Sequence, residues 1–167
     1  WKRCKPLGAE NRGYRRLILA LATWGGVGYL PVAPGTWGTL AALPLWYLLA
    51  QTGPWVYGLG VAALLILGLK VAGPAQGMLG RTDHGAIVVD EVVGLLITLA
   101  GVPPTWQAAL LGFVVFRTLD ILKPFPIRWF GAGGTGGLEV MVDDVAAGVI
   151  GRVVVEMVMI VWGRGFS

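Results

Sequence analysis

A single cysteine, Cys4, and a single histidine, His84, close off several kinds of chemistry at once. One cysteine allows no intramolecular disulfide, no cysteine-cluster metal site and no CxxC redox pair. Charge is scarce as well. Only 13% of the 167 residues are Asp, Glu, Lys or Arg, about half the usual share and too little to cover a water-facing surface unaided. Apolar residues take their place: 56% of the chain is hydrophobic and the mean hydropathy is +0.72, against roughly 45–50% apolar residues in globular chains. The composition therefore points to a membrane protein of single-domain length. Eight Trp residues fit interfacial rings or internal packing.

The net charge of +4 is concentrated at one end, where Lys2, Arg3, Lys5, Arg12, Arg15 and Arg16 are opposed only by Glu10. This pattern marks residues 1–22 as a basic, cytoplasmic N-terminal segment able to meet anionic headgroups. Residues 15–22 are too short, and lack a cleavage site, for a signal peptide. No basic stripe with interleaved aromatics continues into the body of the chain, so a nucleic-acid partner is not expected. Residues 23–167 read as one helical domain without repeats or linkers.

Four breaks punctuate the apolar material: the Gly/Pro-rich stretch Gly25 to Gly38, Gly53-Pro54, Gly73-Pro74 and Pro103-Pro104. Between them the sequence predicts helices at about 37–51, 55–73, 85–102, 105–122 and 141–162. The expected fold is all-α, a compact multi-helix integral-membrane bundle of about five helices including two helical hairpins. At 1.5 Å per residue, the second to fourth helices would be roughly 27 Å long and the fifth roughly 33 Å, near the 30 Å hydrocarbon thickness. Hairpin topology then puts residues 74–91, 117–139 and the start of the last helix on the face of the basic N-terminus.

Of nine acidic residues, Asp83, Asp90, Glu91, Asp120, Asp143 and Asp144 sit at the ends of these helices, all on that face. Carboxylates beside lipid are costly, and so many together repel unless hard cations or Arg and Lys neutralise them. If the third helix reaches back to residue 83, seven-residue offsets superpose Asp83 on Asp90 and His84 on Glu91, with Gly94 one turn on making room for a neighbour. Arg117, Asp120 and Lys123 step along one side of a helix that Pro124 stops, and the two cations suit a dianionic phosphate. Adjacent Asp143 and Asp144 open the last helix above a small stripe of Ala147, Gly148 and Gly151 that lets another helix approach. Thr36 or Thr39 would cap a helix whose N–H groups can hold phosphate. Plainer readings compete at each place: acids complementing helix dipoles, an i,i+3 ion-pair ladder, an entry turn.

Four strings in order, APGTWGTLAALP at 33–44, DHGAIVVDEVVG at 83–94, FRTLDILKPFPIRWF at 116–130 and GGLEVMVDDVAAG at 136–148, resemble phosphatidylglycerophosphatase A. The resemblance runs from about Trp24 to Trp162. It implies a multi-pass enzyme of the bacterial inner membrane that uses Mg²⁺ to convert phosphatidylglycerophosphate into phosphatidylglycerol. Its partners would be that substrate and membrane lipids, and the sequence carries no sign of oligomeric state.

Elimination agrees with a metal route. Cys4 lacks the His-Cys-x5-Arg loop of cysteine phosphatases, one histidine excludes the two-histidine lipid phosphatases, and no Asp-x-Asp motif occurs. Asp90, Glu91, Asp120, Asp143 and Asp144 are accordingly expected as metal ligands or water-orienting bases, and Asp83 and His84 as second choices for base or orienter. Arg117 and Lys123, with Thr36 and Thr39, are expected to hold phosphate at the cytoplasmic face. An ion-coupled transporter or channel is the alternative, but it would place acids near the bilayer midplane.

Overall fold

A computed structural model describes residues 9–80, 85–125 and 137–161. They form six α-helices and one 3-10 turn, with no strand among the described residues: α1 Ala9–Ala22, the turn Val27–Tyr29, α2 Pro34–Ala50, α3 Pro54–Leu79, α4 Val89–Thr98, α5 Trp106–Leu122 and α6 Gly137–Val161. Proline at the first position starts α2 and α3, where a missing N–H costs nothing. Thr105 caps α5 by accepting a 3.3 Å hydrogen bond from the Ala108 N–H.

Three of these elements differ most from the sequence expectation, and α6 begins four residues earlier than expected, at Gly137 and not at about 141. Part of the basic N-terminal segment is a helix, α1, whose Ile18 and Ala22 bury against Val71, Ala72 and Ala75 of α3. Gly73-Pro74 does not end α3, which runs on to Leu79 and stops at Gly80 in the left-handed region, φ 76°. Proline removes one internal hydrogen bond there. The start of α6 packs on that stretch, since a Cβ on Gly137 would lie 2.6 Å from the Leu69 carbonyl oxygen and 3.0 Å from the Gly73 nitrogen.

The third difference is α4. It spans 10 residues, about 15 Å, where 85–102 was expected. Because it begins at Val89, it does not reach back to residue 83, and the helical superposition of Asp83 on Asp90 fails. Tertiary burial sustains so short a helix: Val92, Val93, Leu95 and Leu96 are fully buried, enclosed by α2, α3, α5 and α6.

Small residues set how close the neighbours come. A Cβ on Gly94 would overlap the Phe116 ring of α5 and lie 2.8 Å from the Asp144 carbonyl oxygen of α6. One on Gly148 would lie 2.6 Å from the Gly94 carbonyl oxygen. The expected small-residue approach is thus the α4–α6 contact, and it draws Asp144 onto the first turn of α4.

Among the described residues, one helix is long and apolar enough to cross a membrane: α3, with mean hydropathy 1.9 over a window that is only 22% buried. α2 and α5 have 17 residues each, about 25 Å. Leu59, Ile66, Leu110, Val114, Val153 and Met157 face outward on α3, α5 and α6. Trp55 and Trp106, exposed at the starts of α3 and α5, mark the end of the bundle away from the acids, as interfacial tryptophans do.

Candidate active site

The first turn of α4 presents Asp90 and Glu91 at the positive end of the helix dipole. Asp90 accepts a 3.0 Å hydrogen bond from the Glu91 N–H. Asp144, in the second turn of α6, is 4% exposed and Asp90 8%. One oxygen from each of Asp90, Glu91 and Asp144 lies within 4.8 Å of the others. Because α6 begins at Gly137, Asp143 and Asp144 sit inside the helix and not at its opening, so a dipole role at its first residues does not account for them.

Two ion pairs flank this trio. Arg117 donates a short hydrogen bond to Asp120, one turn on in α5, and its Nη1 lies 3.9 Å from Glu91 Oε1. Lys123 Nζ donates to Asp143 Oδ2 at 2.7 Å. Lys123 is the C-cap of α5 in the left-handed region, φ 40°, a costly conformation for a lysine and one disfavoured before a proline. The turn it makes carries the ammonium back to α6.

Asp90, Glu91, Asp120, Lys123, Asp143 and Asp144 line one cavity of about 180 Å³ together with Gln76 of α3 and Gly85 and Ile87 before α4. It is smaller than the roughly 300–1,000 Å³ of pockets for drug-sized ligands, so it suits a phosphoryl group and not a whole phospholipid.

The electrostatics of the cavity are unbalanced. Glu91 Oε2, Asp143 Oδ1 and Arg117 Nε are buried without a hydrogen-bond partner among the described residues. α4 is too short to span a bilayer, and its first turn sits at one end of the bundle. Burial, then the charge of Asp144, pushes the Glu91 carboxyl up to about 8. Burial, then Glu91, holds Asp90 well above the usual carboxylate range. Burial alone would lower Lys123, but its bond to Asp143 and the charges of Asp143, Asp144 and Asp120 prevail and raise it. Three close carboxylates with an orphaned oxygen are a hard-cation donor set, because a bound cation removes both the repulsion and the orphan. The residues present fit a divalent metal.

Of the residues singled out in the sequence, these acids and Lys123 therefore meet. Arg117 is tied to Asp120 and Glu91 behind the cavity wall. Thr39 is buried, its hydroxyl donating to the Gly35 carbonyl at 2.8 Å. Thr36 is half-buried, and neither threonine lines the cavity. The N-cap of α2 is Ala33, in the left-handed region without a side-chain bond, so the expected threonine cap is not made. Asp83 and His84 lie outside the described residues.

Two neighbours of the site escaped the sequence reading. Gly35 seats the start of α2 on the site, since a Cβ there would overlap Glu91 Oε1 and lie 3.1 Å from Arg117 Nη1. Its signal is the unbroken Pro-Gly-Thr that opens α2. Gln76 was hidden by the expectation that α3 ends at Gly73, and its signal is an amide standing alone in an apolar helix.

A family model described as Phosphatidylglycerophosphatase A matches residues 20–159. The chain is 42% identical over 147 residues to the Phosphatidylglycerophosphatase A of Escherichia coli (strain K12), covering 87% of this chain and 85% of that protein. It is also 42% identical over 153 residues to the protein of the same name from Haemophilus influenzae, covering 87% and 94%. No solved structure matches the chain.

Proposed function

The chain belongs to the phosphatidylglycerophosphatase A family, a lipid phosphatase hydrolysing phosphatidylglycerophosphate, and from that premise we propose that it works with Mg²⁺ held by Asp90, Glu91 and Asp144. The observation that carries the cation site is the trio of buried carboxylates within 4.8 Å, opening on a phosphoryl-sized cavity. Mg²⁺ suits a few carboxylates plus substrate oxygens better than a full protein cage. When bound there, the ion supplies Lewis acidity toward a phosphoryl oxygen and a water acidic enough to react at neutral pH.

The chain's own residues do the rest. Lys123 stands in the cavity wall as the cation for the phosphoryl oxygens, held by Asp143. Arg117, bonded to Asp120 and 3.9 Å from Glu91, holds the two carboxyl groups in place from behind. Asp143 Oδ1, buried and unpartnered, takes the proton of the attacking water. As phosphorus bonds to the water oxygen, its bond to the glycerol oxygen breaks, and that alkoxide receives the proton that Asp143 took. The products are phosphatidylglycerol and inorganic phosphate, and the acyl chains stay in lipid.

We place the enzyme in the bacterial inner membrane as a multi-pass protein with the cavity on the cytoplasmic side, supported by the basic residues before and within α1. A cysteine at position 81 or 128 should be labelled by an impermeant thiol reagent in inside-out vesicles and spared in right-side-out ones. Periplasmic labelling of either breaks the assignment. The function itself is tested with purified full chain in mixed micelles. Phosphate release from phosphatidylglycerophosphate should stop with excess chelator and return with Mg²⁺, and undiminished turnover in chelator would overturn the metal reading.

A further inference from the structure

Gln76 has no part in the chemistry above, yet it is 7% exposed and its side chain faces the catalytic cavity from α3. No described residue bonds its amide. Its backbone carbonyl accepts from the Gly80 N–H at 3.0 Å. It reaches the site because α3 continues two residues past Pro74 to bring it there and closes at Gly80 beyond it.

Every other polar side chain lining the cavity is ionisable. With a cation bound, Asp90, Glu91, Asp120, Asp143 and Asp144 are carboxylates that offer acceptors only, and Lys123 already commits one N–H to Asp143. A phosphate monoester entering as a dianion brings more acceptors to a wall already rich in them. A neutral amide with two N–H donors reduces that conflict without joining the cation's ligand set and without pairing off a carboxylate. The residue is nine-tenths buried and its amide opens only on the cavity, so a phosphoryl oxygen arriving there can take the place of water at one of its N–H groups.

We propose that Gln76 is a substrate-binding residue whose side-chain N–H donates to a nonbridging oxygen of the phosphoryl group, on the α3 side of the cavity. This rests on the phosphatase reading of the same cavity. A hydrogen bond to a charged group in such a setting corresponds to about 10-fold to 100-fold in affinity.

The test uses full-length protein in detergent with Mg²⁺ and three variants, Gln76→Leu, Gln76→Met and Gln76→Glu. Inorganic phosphate serves as the probe, read by thermal stabilisation and by inhibition of lipid hydrolysis. The apolar variants should need about 10-fold to 100-fold more phosphate for the same stabilisation, with a matching loss in kcat/KM. Their Mg²⁺ midpoint, measured by thermal shift without phosphate, should stay within about twofold. Gln76→Glu should lose more phosphate affinity than Gln76→Leu, because it opposes the dianion. Unchanged phosphate affinity in the apolar variants overturns the proposal. So does a tenfold weaker Mg²⁺ midpoint, which makes the amide oxygen a metal ligand, and so does failure of both apolar variants to fold, which makes Gln76 structural. Wild-type protein that binds phosphate but does not hydrolyse the lipid would sink the phosphatase reading and leave the Gln76 contact standing.

Discussion

The two ends of α4 stand in the same protein interior and are treated in opposite ways. At its C-terminal end the freed carbonyls are satisfied: the Trp46 indole N–H donates to Leu99 at 3.2 Å and the Tyr57 hydroxyl to Leu96 at 2.5 Å. Thr98 donates to the Gly94 and Gly148 carbonyls at 3.0 and 3.3 Å. At its N-terminal end three carboxylates crowd within 4.8 Å, and a Glu91 oxygen has no partner among the described residues. Aromatic donors cover one end for structure. The other end is left short of positive charge, and in a buried place such a shortfall persists where a ligand makes it good.

The strongest way to break this contrast is at the carboxylates. Asp90→Asn and Asp144→Asn should each lower turnover by at least about 100-fold, because Asn keeps the shape and loses the ligand charge. The cation-free protein should be no less stable, since repulsion is relieved, and Mg²⁺ should stabilise the variants less than wild type in thermal unfolding. Asp120→Asn and Asp143→Asn make an internal control. They strand Arg117 or Lys123 and should lower stability along with activity.

A middle-sized effect should come from Gly35→Ala. The new methyl group collides with Glu91 Oε1, so Glu91 must shift and turnover should fall by about 10-fold, consistent with the sensitivity of catalysis to small displacements. Stability measured beside activity separates this from loosening of α2. Equal losses in Gly38→Ala, which meets Val88 and not an acid, would point to general packing.

The smallest effect on activity belongs to the C-terminal end. Tyr57→Phe leaves the buried Leu96 carbonyl unpaired, whereas Trp46→Phe leaves the Leu99 carbonyl its 3.2 Å bond from the Val102 N–H, so the thermal midpoint should fall by about 2–8 °C in the first and by less in the second. Turnover should stay within about twofold. If it drops as far as in Asp90→Asn, the two ends do not divide structure from chemistry.

Much of this contrast is legible in the sequence, and unevenly so. The acids, Lys123 and the Gly94 and Gly148 contacts could be placed because charge is conspicuous in apolar helices and small residues at helical spacing imply close packing. The boundaries of α3 and α4 could not. Pro74 is a helix breaker by local rule, but the docking of Gly137 against Leu69 and Gly73 is a long-range fact. Likewise nothing local shortens α4, whose flanking Ala86, Ile87 and Val88 are as apolar and as buried as its interior. For Arg117 the i,i+3 pair with Asp120 was legible beside the phosphate expectation, whereas the approach of Glu91 from another helix was not. The aromatic bonds to Leu96 and Leu99 join residues 39 and 53 positions apart, beyond any periodicity argument.

The run of α3 past Pro74 bears on how the enzyme meets its substrate. With 26 residues the helix is about 39 Å long, some 9 Å more than a hydrocarbon layer of about 30 Å, so if α3 spans the bilayer from its Trp55 end, its last turns and Gln76 reach headgroup depth. A phospholipid bearing a terminal phosphate can then reach the cavity by sliding in its own leaflet, without leaving the bilayer. Encounter becomes a two-dimensional event. The quantity that sets its rate is the mole fraction of substrate among the surrounding lipids, so diluting the substrate with inert phospholipid should slow turnover even when the bulk concentration is held constant.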